Sequence, residues 1–248
     1  MSREARLTAM RAKLAVFERT AEREVLPFGD ARVDAALPGG GLPLGRWHEV
    51  AGEGMDMETA VAASAFVAAL ASSLAERGEV VWIMRRDDLY APGLAGLGFP
   101  AERLIQVCVR DEAEALAALE DSLGAAGVIA AIGEAECPDL TAGRRLQLAC
   151  ERHGATGFLI RRRLFGGETP RKGSAAATRW RIAPVPSEPA PGEPGLGPPR
   201  WRVSLERCQG GRTGVWITEK NDGPHPLRVV AELGDRKLDS PQPFALAG

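Results

Sequence analysis

The chain is short of the residues that build metal and disulfide scaffolds. Its 248 residues include four cysteines (Cys108, Cys137, Cys150, Cys208) with no Cys-x-x-Cys pair, and three widely separated histidines (His48, His153, His225). That spacing argues against a structural zinc or a disulfide framework, and no cysteine stands with a histidine and an acid as a nucleophile needs. Cys108 and Cys150 are expected in the core. Long apolar runs are also missing: the longest, Ala60 to Ala71, is alanine-rich and too short to cross a bilayer. The N-terminus is charged from Arg3 onward and has no apolar signal core, so the expected setting is the cytosol with reduced thiols and no membrane contact. A strong net charge is absent as well. Lys and Arg total 31 against 33 Asp and Glu, which excludes a histone-like polyanion-coating protein.

The charge is nonetheless segregated along the chain. Residues 1–143 carry 13 basic and 23 acidic side chains, whereas residues 144–212 carry 14 and 5. The two stretches should therefore act oppositely on a polyanion.

Hydropathy patterning divides the chain into an N-terminal segment, 1–24, and a main body, 25–248. Leu7, Met10, Leu14, Phe17 and Ala21 recur at helical spacing among Arg, Lys and Glu, predicting an amphipathic helix over Arg3 to Glu24. Its stripe needs a groove, either on its own domain or on another protein. From Arg46 strands alternate with helices. The pattern predicts strands at Trp47–Ala51, Glu79–Met84, Leu104–Val109, Gly127–Ile132 and Gly157–Arg162. Helices fall at Glu58–Glu76, from the Asp111/Glu114 cap to Leu123, and at Leu140–His153 before Gly154. Such alternation implies crossover units, hence a largely parallel sheet with helices on both faces. Thr178–Ile182, Trp201–Arg207 and Val215–Glu219 then alternate without intervening helices. They read as antiparallel strands extending the sheet, the last two joined by the Gln209-Gly210-Gly211 turn. Pro184 to Pro199 holds 7 of the 18 prolines and reads as a flexible loop within the body. Trp201 and Trp216 fit core or edge packing.

A strand, a glycine turn and a long helix form the setting of a phosphate loop, so Gly52-Glu53-Gly54-Met55-Asp56-Met57-Glu58-Thr59 is compared with G-x-x-x-x-G-K-[ST]. Only Gly52 and Thr59 fit. Met57 replaces the glycine that lets backbone approach phosphate, and Glu58 replaces the phosphate-binding lysine. A carboxylate about 4 Å from one phosphate charge costs about 4 kcal/mol at an effective dielectric of 20. The loop is expected to reject ATP, with no cofactor and no metal.

The lead-in to this loop carries a resemblance. Gly29-Asp30-Ala31-Arg32-Val33-Asp34-Ala35-Ala36-Leu37, then Gly39-Gly40-Gly41-Leu42-Pro43-Leu44-Gly45-Arg46, resembles the segment before the P-loop of RecA recombinases. Together with the degenerate loop, the Pro184–Pro199 stretch and the segments around Trp201 and Gly211–Trp216, it makes the chain similar to the ImuA family, the RecA-related component of bacterial mutasome operons. The resemblance spans roughly residues 25–220. It implies an α/β fold with a RecA-like core: a mostly parallel twisted sheet flanked by helices, antiparallel strands at its C-terminal edge, and the amphipathic helix in front.

Position by position, the RecA comparison implies lost chemistry. The water-polarising glutamate after the second core strand corresponds to Arg86, and the Walker B aspartate to Ile132, with Glu134 two residues beyond. RecA's loop after the strand at Gly157–Arg162 touches single-stranded DNA. Its counterpart here is flanked by Arg161, Arg162 and Arg163, contains Arg171 and Lys172, and leads to Arg179, Trp180 and Arg181. These side chains suit phosphates, with Trp180 as a stacking face, or an acidic partner, or simply a solvated strand edge. RecA's other DNA loop is shortened here to Glu134–Asp139. The ImuA resemblance implies a non-catalytic adaptor in SOS-induced translesion synthesis, linking RecA to an ImuB-type Y-family polymerase relative and through it to an error-prone C-family polymerase. The Leu7, Met10, Leu14, Phe17 stripe is then the candidate RecA-type contact. Two alternatives stay open: a divergent ATPase using Gly52, Thr59 and Arg86, and a direct single-stranded DNA binder.

Overall fold

The computed structural model describes residues 24–233 except 55, 137, 163–173, 190, 191, 193, 222, 224 and 226, with backbone alone at 56–60. The stripe residues Leu7, Met10, Leu14 and Phe17, and the basic residues Arg163, Arg171 and Lys172, lie outside the described residues.

A small clasp precedes the sheet. Strand β1 (Val25–Leu26) pairs antiparallel with β2 (Leu42–Pro43). Between them the short helix α1 (Ala31–Asp34) is capped by Asp30, whose side chain accepts the Arg32 N–H, and Asp34 accepts from the N–H groups of Phe28 and Gly29. Asp30 and Asp34 thus tie the clasp together locally.

The body is one nine-stranded sheet. Its strands are β3 (Trp47–Gly52), β4 (Glu79–Met84), β5 (Leu104–Cys108), β6 (Val128–Ala135), β7 (Thr156–Arg161), β8 (Thr178–Val185), β9 (Arg200–Cys208), β10 (Gly214–Lys220) and β11 (Leu227–Glu232), ordered β11-β10-β9-β8-β3-β7-β6-β4-β5. From β8 to β5 every pairing is parallel, while β9, β10 and β11 add on antiparallel. The central strands are apolar on both faces because helices cover both. On one face α2 (Asp56–Ala75) packs Phe66, Leu70 and Leu74 on Val50, Trp82, Ile132, Phe158 and Trp180. On the other, α4 (Glu112–Leu123) and α5 (Leu140–His153) pack Leu119, Leu123, Leu146 and Cys150 on Trp47, Ile83, Ala131 and Leu159. The remaining helix, α3 (Ala91–Ala95), is a single short turn. Gly133 in β6 is required by close approach, since a Cβ there would stand 2.9 Å from Leu119 Cδ2.

The caps form as their sequences predict. Asp111 accepts the Glu114 N–H at 2.9 Å and Asp139 the Ala142 N–H at 2.6 Å, while Gly154 ends α5 in the left-handed conformation at φ 78°. Glu114 itself accepts from the Arg110 N–H, one residue earlier than a closed capping box requires.

Four expectations are corrected. β6 runs to Ala135, which places Glu134 inside a strand and not in the loop beyond it. β8 is not antiparallel throughout: it lies parallel to β3 and antiparallel to β9 only. Pro184 belongs to β8, paired with Trp201, so the proline-rich connection is shorter than its composition suggests. Cys108 is exposed on β5, because no strand among the described residues pairs with β5 on its outer side. An additional edge strand, β11, goes beyond the predicted hairpin.

Candidate functional site

In open α/β sheets ligands bind in the crevice beyond the carboxyl ends of the parallel strands. Here that crevice begins where β3 turns into α2 through Glu53 and Gly54, the latter at φ 93°. In a phosphate loop the backbone N–H groups of this turn point at phosphate. The Glu53 N–H instead donates to Ile182 O of β8 at 2.9 Å. Arg202 of β9 pairs with the Glu53 carboxylate, and Arg181 reaches Gly52 O at 3.4 Å. Met57, Glu58 and Thr59 lie in the first turns of α2, with their side chains outside the described atoms.

At the neighbouring strand ends, Ile132 is fully buried under α2. Two residues on, Glu134 points to the same side of β6 and is buried, at 3% exposure. Its Oε1 accepts from Trp82 Nε1 at 3.2 Å and its Oε2 from Arg162 Nη1 at 3.0 Å. Arg162 also grips Asp88 on the loop after β4 with both terminal nitrogens, each at 3.0 Å. Burial pushes the Glu134 carboxyl above its usual range, and the Arg162 guanidinium works against that shift; the hydrogen bonds from Arg162 hold Asp88 below it. Arg86 is exposed on the same loop.

Deeper in the sheet, Glu49 sits in the middle of β3 at 1% exposure, an acid in a strand that is apolar but for His48 beside it. Arg161 Nη1 donates to its Oε1 at 2.8 Å, and Arg179 joins from the opposite side, on β8. This placement puts Arg161 inside the sheet and not on a contact surface, whereas Arg163, Arg171 and Lys172 of the basic segment lie outside the described residues. Arg161 is 5% exposed and its Nε donates to Glu136 O at 3.0 Å, so it braces the sheet. Arg179 is bound to Glu49, and Arg181 pairs with Glu206 at 2.6 Å. Trp180 has no accessible face for a base: it is fully buried, tilted against Phe28 and Phe66 at 5.7 and 5.8 Å, with Nε1 donating to Thr178.

The charge segregation of the sequence resolves in space into ion pairs. Acids of the first half, Glu49, Glu53, Asp88, Glu120 and Glu134, meet arginines of the second, Arg161, Arg202, Arg162 and Arg145. Sequence reasoning missed Glu49 and Arg162 as paired centres. Glu49 carried a usable signal, since a charge inside a central apolar strand demands a buried partner. Among the described residues no group of three or more His, Cys, Asp or Glu is placed to hold a metal ion, and no helix is long and apolar enough to cross a membrane.

The strand order, the α2 crossover beneath a glycine turn and the antiparallel extension define a RecA-like recombinase fold. The crystal structure of the RadB recombinase superposes with a TM-score of 0.55 over 82% of this chain and 98% of that one, at 14% identity. No protein-family model matches the chain. Protein ImuA of Caulobacter vibrioides is 58% identical over 224 residues, which is 86% of this chain and 92% of that protein, in both strain NA1000 / CB15N and strain ATCC 19089 / CIP 103742 / CB 15. The chain belongs to the ImuA family.

Proposed function

We propose that the protein is a non-catalytic RecA-like adaptor of the ImuA/ImuB mutagenesis system. In this reading it joins RecA at a lesion to an ImuB-type polymerase relative, and through that protein to an error-prone C-family polymerase. The partners follow from the family resemblance; the loss of catalysis follows from the residues.

One observation carries the non-catalytic reading: Ile132 stands where the RecA comparison puts the cation-holding aspartate, and Glu134, the acid two residues further along β6, is held by Arg162. A guanidinium held against that carboxylate disfavours a second cation beside it. The turn before α2 points the same way, because its Glu53 amide is bound to Ile182 O and Glu58 replaces lysine. A metal–nucleotide does not fit this arrangement.

Ligand linkage tests the reading. ATP–Mg at 100 times its dissociation constant stabilises a true binder by about 2.7 kcal/mol. A melting temperature that stays flat across millimolar ATP–Mg supports the adaptor, whereas a concentration-dependent rise overturns it and restores the divergent ATPase. Pull-down of purified RecA and ImuB-type protein by the full chain tests the partners separately.

A further inference from the structure

From Val61 to Ala75 helix α2 holds no charged residue, although the sheet covers only one side of it. Phe66, Leu70 and Leu74 face the sheet, and the elements that chiefly pack on the helix are the strands β3, β4, β6, β7 and β8. At about 100° per residue, Val61, Ala65, Ala68, Ser72 and Ala75 all point within about 40° of the direction opposite Leu70. They recur at alternating steps of four and three, so they form one seam of small side chains along the outer side. Ala68 and Ala75 are fully buried there, whereas Val61 at the outer end is 79% exposed. Ser72 strands no polar atom in the seam, because its Oγ donates to Ala69 O at 2.7 Å. A helix that is apolar all round is built to be buried, and the sheet cannot reach this side.

The point where the described chain starts selects the cover. Glu24 is clamped to Arg77, just past the C-terminal end of α2, by paired hydrogen bonds of 2.5 and 3.0 Å, and its carbonyl accepts the Leu44 N–H at 2.9 Å. Residues 1–23, which lie outside the described residues, join the chain beside that end. Their predicted stripe, Leu7, Met10, Leu14, Phe17 and Ala21, covers the same length of helix as Val61 to Ala75, about 21 Å in each case. A helix running back from Glu24, parallel to α2, sets Ala21 level with Ala75, Phe17 with Ser72, Leu14 with Ala68, Met10 with Ala65 and Leu7 with Val61. Steps of three and four on one helix then meet steps of four and three on the other, and large side chains meet small ones, as a two-helix seam requires. At the level of Leu7 an apolar pocket of about 420 Å³ opens between Val61, Ala65, Leu97 and Leu196.

We propose that the N-terminal segment of this chain docks in cis along the outer seam of α2, with Leu7, Met10, Leu14 and Phe17 seated over Val61, Ala65, Ala68 and Ser72. The apolar stripe of the segment and the uncharged back of α2 then bury each other. Docked in this way the stripe is closed to other proteins, and a partner that uses it has to lift it from α2 first. That consequence rests on the adaptor reading, in which the same stripe meets RecA; the docking itself does not.

Thiol labelling of the purified full chain tests the docking without any partner present. Ser72→Cys places a thiol in the seam, and peptide mapping compares its reaction with a maleimide to that of the exposed Cys108. With the stripe intact, position 72 should label about tenfold more slowly than Cys108, and Leu14→Glu, which charges the stripe, should remove most of that difference. Lys13→Glu, beside the stripe, should leave the rate unchanged. Thermal melts report whether each variant still folds. Cross-linking gives an answer that does not depend on Leu14→Glu. Packed helix axes lie about 8–10 Å apart, so a short bismaleimide should bridge Phe17→Cys to Ser72→Cys within one chain, leaving a monomer on a denaturing gel. Position 72 labelling as fast as Cys108 with the stripe intact, a rate that Leu14→Glu does not change in a folded chain, or a 17–72 bridge that is absent or forms only between two chains overturns the proposal.

Discussion

Arg162 Nη1 lies 3.0 Å from Glu134 Oε2 and 3.0 Å from Asp88 Oδ1, so a single arginine closes the crevice at the ends of β4 and β6. The two acids differ in environment: Glu134 is buried, whereas the Asp88 side chain is 43% exposed. Only the Glu134 contact is expected to matter for stability, because exposed pairs contribute little and an orphaned buried charge is costly. Arg162→Ala should destabilise the fold by about 3–5 kcal/mol at pH 7, read from urea denaturation. The double variant Arg162→Met with Glu134→Gln should recover most of the loss. The pH dependence has a definite sign. Without Arg162 the Glu134 carboxyl moves further upward, so the folded variant takes up a proton more readily than the unfolded chain. Its deficit relative to wild type should shrink as pH falls from neutrality towards about 4.3. A deficit independent of pH would exclude a buried charge as its origin.

A second buried group titrates in the opposite sense. His48 is fully buried, with Nε2 bonded to Pro43 O at 2.9 Å and Nδ1 to the Thr178 hydroxyl at 2.8 Å. Thr178 also accepts from Trp180 Nε1, so one polar chain links the clasp, β3 and β8. A neutral ring that donates at Nε2 and accepts at Nδ1 satisfies every member. Burial pushes the His48 pKa down to about 4. A depressed histidine stabilises the fold above the unfolded pKa of about 6.5 and loses that contribution as pH falls towards 4. The expected loss across this window is about 3 kcal/mol. Denaturation curves of wild type and His48→Gln at several pH values should differ by this slope; parallel pH profiles would refute it.

The sequence shows most of the parallel core and little of the site. Trp47–Gly52, Glu79–Met84 and Leu140–His153 are legible because apolar patterning, aspartate caps and Gly154 are local signals. β11 is not, since Leu227–Glu232 follows a stretch rich in polar residues and proline and gains its place only by pairing with β10. The basic segment misleads for the same reason. Arg161 and Arg179 look like a surface until Glu49, far away in sequence, is placed beside them. Pairing across more than a hundred residues leaves no local trace, and a tryptophan between arginines looks alike whether it faces a base or Phe66.

Trp180 distinguishes those readings directly. With Trp180 fully buried against Phe28 and Phe66, Trp180→Ala should cost about 3–5 kcal/mol, as truncation of a buried aromatic does. Trp180→Phe should keep most of the packing and lose the bond to Thr178. Any affinity of the chain for a labelled single-stranded oligonucleotide, followed by fluorescence anisotropy at low salt, should be the same in wild type and Trp180→Phe. A clear drop in the folded variant would return Trp180 to the DNA-binding surface.

The cysteines give a test of the topology that requires no mutation. Cys150 is fully buried between α5 and the sheet, and its thiol is pushed up to about 12 by that burial. Burial also raises the Cys208 thiol, though that side chain is only partly covered. Cys108 is exposed on β5. Because the thiolate is the reactive form, a thiol reagent applied to the native chain should label Cys108 well before Cys208, and Cys150 only after denaturant is added. Peptide mapping by mass spectrometry reads the order. Early labelling of Cys150 would mean that α5 does not seal this face of the sheet.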